Sequence, residues 1–274
     1  MLNVTIAFVG AMRIGSHAVR TNPVDLNVLR TPSALLGDVL RLFGRHAPLF
    51  FSVTFLVAAP VTLLVDGVWG RELSDGADSA SPFAADLIGE LLRTIVVPSL
   101  VTALHVRIVL RLAAGDEPSV PEALRSSVVR FPAVLAAVVI YSLVVAAGFV
   151  ALIVPGIWLS VLLYFGAQAV IVDDLGPVDA LKRSAELVRG NWWATAGRLV
   201  LAAIVFGLPA FFAIAAIATI DNGVVWTLLT AVISTVQLSL SALVGTLLFF
   251  ELRAAESVGG GLGPEWAPPR PYEA

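Results

Sequence analysis

The stretch PVDALKRSAELVRGNWWATAG, residues 177–197, decides how this sequence is read. Long apolar runs flank it. Within it, Lys182, Arg183, Glu186 and Arg189 stand at helical spacing, followed by Trp192 and Trp193. Leu181, Ala185, Val188 and Trp192 recur at i, i+4, i+7 and i+11, the pattern of one apolar stripe on a helix. The charged residues lie off that stripe, and Lys182 and Glu186 have the i, i+4 spacing of a helical ion pair. A basic amphipathic helix of this kind is expected to lie in a membrane interface, its apolar face toward acyl chains and its arginines toward headgroups. Trp192 and Trp193 then fall where aromatic belts form.

Two further copies of this unit precede it. PSALLGDVLRLFGRHAPLF starts at Pro32 and carries Arg41 and Arg45; PEALRSSVVRFPAVL starts at Pro121 and carries Arg125 and Arg130. Each copy opens on a proline, reaches Ala-Leu soon after, turns basic, and runs into an apolar segment. Thr31 is placed to cap the first, with Pro32 at the first helical position. Ser119 and Glu122 have capping-box spacing in the second. Asp179 stands in the first turn of the third, where the helix dipole favours a carboxylate.

Apolar residues make up 58% of the 274 and charged residues 14%, at a mean hydropathy of +0.92. Soluble domains carry about 25% charged residues, so this chain lacks the polar surface to stay in water. Six runs approach the roughly 20 residues of a bilayer crossing: 48–65, 94–110, 132–154, 156–172, 199–220 and 223–250. Pro155 and Gly156 suit a type II turn, which would fold the third and fourth runs into a hairpin, and Pro209 predicts a kink in the fifth. With the N-terminus inside, fifteen of the Lys and Arg residues fall on inner segments and two, Arg71 and Arg93, on outer ones. Cationic residues are retained in the cytoplasm, so both termini are expected there. The expected fold is all-α: a polytopic membrane bundle of about six transmembrane helices with three cytoplasmic interfacial amphipathic helices. Residues 1–30 read as an extension, 31–256 as the membrane domain (repeats 31–112, 119–172 and 176–256), and 257–274 as a flexible Gly/Pro-rich tail.

The run VPGIWLSVLLYFGAQAVIVDDLGPVDALKRSAELVRGNWWATAGRLVL carries a family resemblance. Pro155 and Gly156, then Gly176 and Pro177, then Ala180, Leu181, Lys182, Arg183 and Ser184, then Leu187 to Trp193 resemble the membrane domain family named after glycerophosphoryl diester phosphodiesterases. The similarity is tightest over 154–201 and looser over 35–256. It implies a multi-pass protein of a prokaryotic cell membrane. The phosphodiesterase barrel that names the family needs roughly 250 further residues, so the resemblance implies the membrane part without that activity.

Residue chemistry points away from catalysis. There is no cysteine, and His17, His46 and His105 stand apart without metal-ligand spacing. Neither GxSxG nor a Walker loop occurs, and Asp173 and Asp174, being adjacent, do not face each other on a helix. A non-enzyme without cofactor or metal is expected. Its candidate lipid- or partner-facing residues are Lys182, Arg183, Arg189, Trp192, Trp193, Arg41, Arg45, Arg125 and Arg130. Arginines spread along a membrane surface favour anionic lipid, and with it a membrane protein partner, over nucleic acid. His105, Arg107, Gln168 and Gln237 are the polar groups within or beside the runs. Intramembrane polar groups can mark a pathway, so a transporter or permease component is the second expectation beside an accessory or scaffold at the lipid interface.

Overall fold

In a computed structural model, residues 25–64, 82–219 and 223–258 are described, and all regular structure in them is helical. The expected outer loop with Arg71, the segment with Arg13, His17 and Arg20, and the tail with Arg270 lie outside the described residues. Along the chain come α1 (Pro32–Arg45), α2 (Ala47–Leu64), α3 (Pro82–Leu91), a π turn (Leu92–Val96) and α4 (Val97–Ala114). Then follow α5 (Val120–Val128), α6 (Phe131–Ala151), α7 (Ile153–Leu162), α8 (Gly166–Val172) and α9 (Pro177–Arg189). The chain continues through α10 (Trp192–Ala202), a second π turn (Ala203–Gly207), α11 (Leu208–Ile217) and α12 (Gly223–Ser257).

The helix starts follow the local chemistry with one exception. Thr31 caps α1, its hydroxyl accepting from the Ala34 amide at 3.3 Å, with Pro32 in the first turn. Gly176 precedes Pro177 at the start of α9, and Asp179 lies in that first turn. At α5, Ser119 is the N-cap but makes no capping bond. Glu122 accepts instead from Arg111 Nη2 at 2.6 Å, an ion pair between two opposite charges in place of a carboxylate–amide bond.

Among the described residues, five helical stretches are long and apolar enough to cross a membrane: Leu87–Ala114, Phe131–Ala151, Ile153–Val172, Trp192–Ile217 and Val224–Ser257. Helix α2, the first expected crossing, joins α1 at an 85° bend, and the pair brings the number to six. The stretches divide into two classes. Those ending in α4, α8 and α12 are 56%, 50% and 61% buried, whereas α6 and α10–α11 are 17% and 11% buried. Side chains account for the division. Helix α6 is apolar all round and has no face that must be turned inward. Helix α12 carries hydroxyls that need partners: Ser239 and Thr54 of α2 share a 2.7 Å hydrogen bond, and both are fully buried. Small polar side chains bring such helices close together. So α4, α8 and α12 form the centre, and α6 and α10–α11 lie at the periphery.

Pro98 and Pro209, in the spans Leu87–Ala114 and Trp192–Ile217, are absorbed in one way. Each π turn ends two residues before a proline, Pro98 after Val96 and Pro209 after Gly207. A proline inside a helix lacks its amide and crowds the carbonyl four residues back; widening the preceding turn relieves both. The kink expected at Pro209 is therefore a π turn before it. The hairpin between α6 and α7 also differs from expectation. It breaks at Leu152, whose backbone is extended, and Pro155 and Gly156 stand inside the first turns of α7. The first turn of a helix tolerates proline because its amide has no intrahelical partner there. Gly156 serves close packing: a Cβ on it would meet the Phe149 ring at 2.5 Å.

Each amphipathic helix buries one face in the bundle. Leu35, Val39 and Leu42 of α1, Ala123 and Ser127 of α5, and Ala180, Leu181, Ser184, Leu187 and Val188 of α9 are buried. The repeated Ala-Leu pair is thus an anchor. In α9 the contacts run antiparallel to α7–α8: Leu181 lies at Gly166, Ser184 at Leu162 and Phe165, and Trp192 at Trp158. Its apolar face is covered by protein, where the sequence had predicted acyl chains. The cause is the break between α7 and α8. Ser184, with no exposed surface, donates to the Leu162 carbonyl at 2.9 Å and accepts from the Phe165 amide at 3.1 Å. One hydroxyl thereby satisfies both backbone groups that the break releases.

Candidate functional site

With their apolar faces occupied, the amphipathic helices present charge. Arg41, Arg45, Arg125, Lys182 and Arg189 are exposed. Beside them stand bulky apolar side chains that nothing covers: Leu40 next to Arg41, Val128 and Val129 after Arg125, and Trp193 after Arg189, the last 83% exposed. Arg130 pairs with Asp174 and is half-buried. Trp192, half-buried, donates its indole N–H to the Trp158 carbonyl at 3.1 Å.

Arg183 differs from its neighbours. Its Nη1 and Nη2 donate to the two carboxylate oxygens of Glu256 at 2.8 and 2.5 Å, and its Nε lies 3.7 Å from Asp173. The hydrogen bonds it donates to Glu256 hold its guanidinium above the usual arginine value against the opposing effect of burial. Lys182 pairs with Asp179 at 2.9 Å and Glu186 with Arg183 at 3.7 Å, so the Lys182–Glu186 pair expected from spacing does not form.

Each central helix is tied at its C-terminal end to an amphipathic segment. Arg111 of α4 meets Glu122 of α5, and Asp173 after α8 meets Arg183 of α9. Glu251 of α12 accepts from the Arg30 amide at 3.1 Å, just before α1. The third tie belongs to a buried cluster. Arg198 of α10, 4% exposed, reaches Glu251 at 3.4 Å and donates to the Arg30 carbonyl at 3.2 Å. Arg30 in turn donates from Nε to Asp38 at 2.8 Å. The buried Arg30 and Arg198 are each paired with a carboxylate, as burial of charge requires, and Asp38 is shared with the exposed Arg41. The boundary drawn at residue 30 falls inside this cluster. Sequence reasoning missed it, although a glutamate in LLFFELR, deep in an apolar run, was the available signal.

The four polar residues expected along a path separate. His105 is fully buried, its Nδ1 2.8 Å from the Val101 carbonyl and its ring stacked on Phe50 at 5.1 Å. Arg107 borders a small cleft with Arg111, Pro118 and Glu122. Gln168 lines a cavity of about 180 Å³ between α4, α6, α8 and α12. Gln237 lies one turn away from it and donates to Ser241, which lines the same cavity, at 3.5 Å. The other polar residues there are Ser99, Thr102, Tyr141 and Tyr164. Both irregularities of the central helices adjoin this space: Pro98 after the first π turn, and Leu163 and Tyr164 in the break before α8. Among the described residues, no three His, Asp or Glu side chains converge as a metal would need.

Comparison with known proteins adds one assignment. Residues 30–255 match the family described as domain of unknown function DUF7847. The chain belongs to the DUF7847 family. The DUF7847 segment begins at Arg30 and ends four residues after Glu251, so it includes the whole buried cluster and the cavity. No curated protein matches the chain, and no solved structure does. The DUF7847 match carries no link to the phosphodiesterase membrane family.

Proposed function

We propose that this DUF7847 protein is a multi-pass, non-catalytic protein of a prokaryotic cell membrane that binds anionic lipid, and through it membrane partners, at a cytoplasmic face made by α1, α5 and α9. One observation carries the reading. Each of the three amphipathic segments carries an uncovered apolar side chain near exposed cations: Leu40 within α1 beside Arg41, Val129 just after α5 with Arg125, and Trp193 at the start of α10 with Arg189. Apolar groups that enter the acyl boundary beside arginines that meet phosphates are the two components of interfacial binding. A basic residue near an anionic surface contributes about 1 kcal/mol. The charge distribution of the sequence supports putting this face, and both termini, in the cytoplasm.

The test is lipid retention. The purified protein is passed through mixed micelles of phosphatidylglycerol and phosphatidylcholine, and bound lipid is read by native mass spectrometry. The parent retains phosphatidylglycerol preferentially. The combined Arg41→Gln, Arg125→Gln, Lys182→Gln and Arg189→Gln variant loses that preference while its melting temperature holds. Undiminished preference would overturn the reading. Arg183 is left intact because it ties α9 to Asp173 and to Glu256 of α12, whereas Arg41 and Lys182 pair only within their own helices, with Asp38 and Asp179.

A second reading has its own support. A largely apolar cavity with a few polar side chains, bordered by two interrupted helices, resembles the layout of transporter binding sites. It makes the protein a component of a path between the helices, with Gln168 and the Ser241–Gln237 pair beside it.

A further inference from the structure

The cavity between the central helices has a chemistry of its own. At about 180 Å³ it far exceeds the roughly 10–15 Å³ that one water needs. Its walls are largely apolar: Pro98, Ala137, Val138, Leu238 and Ala242. Polar atoms gather at Gln168, which is 4% exposed and whose Oε1 has no hydrogen-bond partner. An unsatisfied buried polar group costs about 1–3 kcal/mol, which a hydrogen-bonding partner would relieve. Gly245, behind Gln168 and Tyr164, gives those two side chains room: a Cβ there would stand 2.8 Å from Gln168 Nε2 and 3.3 Å from the Tyr164 ring. Among the described residues no Asp, Glu, His, Lys or Arg lines it. An ionic ligand would therefore enter without a counter-charge, which a low-dielectric site forbids. One wall is α6, itself a single peripheral helix, and the cavity is open on one side.

We propose that this cavity binds an uncharged amphiphile whose head group both donates and accepts hydrogen bonds, a hydroxyl or primary amide on an apolar chain. Gln168 supplies an acceptor and a donor to that head, and the Tyr141, Thr102 and Ser241 hydroxyls adjoin it. The apolar walls take the first part of the chain. The inference rests on the second reading only in taking the cavity as a ligand site; it does not require passage across the membrane.

The experiment uses the full chain in nanodiscs of neutral lipid and a long-chain fatty alcohol carrying a diazirine. Irradiation should label peptides that contain Tyr164 to Gln168, and unlabelled fatty alcohol should compete. Gln168→Leu removes the amide at similar volume, and Gly245→Ala pushes Gln168 and Tyr164 into the cavity; each should cut labelling about tenfold, the loss of one well-made hydrogen bond. Because Gln168→Leu replaces an unsatisfied polar group, its melting temperature should not fall, which separates loss of binding from loss of fold. The proposal is overturned if the alkane of equal length competes as well as the alcohol, if the ionised fatty acid competes better, or if Gln168→Leu labels normally. Competition by a short water-soluble alcohol at similar concentration would overturn the lipid source and leave a free solute of the same head chemistry. Vesicle flux measured in parallel keeps the readings apart: solute flux without labelling overturns this ligand and keeps the path, and labelling without flux does the reverse.

Discussion

Two ionic ties fasten central helices to amphipathic segments at the same end of the molecule, and they differ chiefly in burial. At the end of α12, Glu251 and Arg198 are 0% and 4% exposed and close a cluster with Arg30 and Asp38. Beside α8, Arg183 bridges Asp173 and Glu256 with its side chain 23% exposed and Glu256 51% exposed. The attraction is similar in kind, but water screens the second and not the first. A buried pair mainly penalises whatever breaks it, whereas an exposed pair guides geometry at little gain. The comparison teaches that one topological device, repeated around the bundle, does different energetic work according to depth.

The sharpest way to break this contrast is Glu251→Leu. It strands the Arg198 guanidinium and the Arg30 amide in a buried site, and stability in detergent should fall by about 3–5 kcal/mol. The double variant Arg198→Met with Glu251→Leu should recover most of that loss in the same unfolding titration; equal losses in single and double variants would show that the charges do not answer each other. Next in size is Ser184→Ala. The Leu162 carbonyl and Phe165 amide lose their common partner, with a predicted cost of about 1–3 kcal/mol. Hydrogen exchange at Phe165 should accelerate in step, and an unchanged rate there would remove Ser184 from its bracing role. Smallest is Arg183→Met, expected to cost at most about 1 kcal/mol given the exposure of its partners. Raising the salt concentration should diminish that difference further while leaving the Glu251 effect intact.

Much of this architecture could be read from residue patterns, and the failures share a cause. The three amphipathic units, the cap at Thr31 and the long apolar helices follow from periodicity and local chemistry, which act within a few residues. The Ser119 capping box and the Lys182–Glu186 pair failed because each had a stronger partner elsewhere, Arg111 for Glu122 and Asp179 for Lys182. The hairpin turn was misplaced by three residues because proline is as acceptable in a first helical turn as in a tight turn. Ser184 looked like one more polar residue on a charged helix, and only the break between α7 and α8 gives its hydroxyl a task. Of the site residues, exposed cations were legible from amphipathicity. The cavity was not, since Gln168, Tyr141, Thr102 and Ser241 come from four helices whose approach no short-range pattern encodes.

The link from Glu251 to Arg30 joins the beginning of the membrane domain to its last helix. During synthesis, the Arg30 and Arg198 segments emerge from the ribosome long before their glutamate exists. Until α12 arrives, Arg198 must keep its charge hydrated or borrow a lipid phosphate. Assembly therefore ends with a latch, in which the final helix displaces that temporary partner and takes over the Arg198 charge.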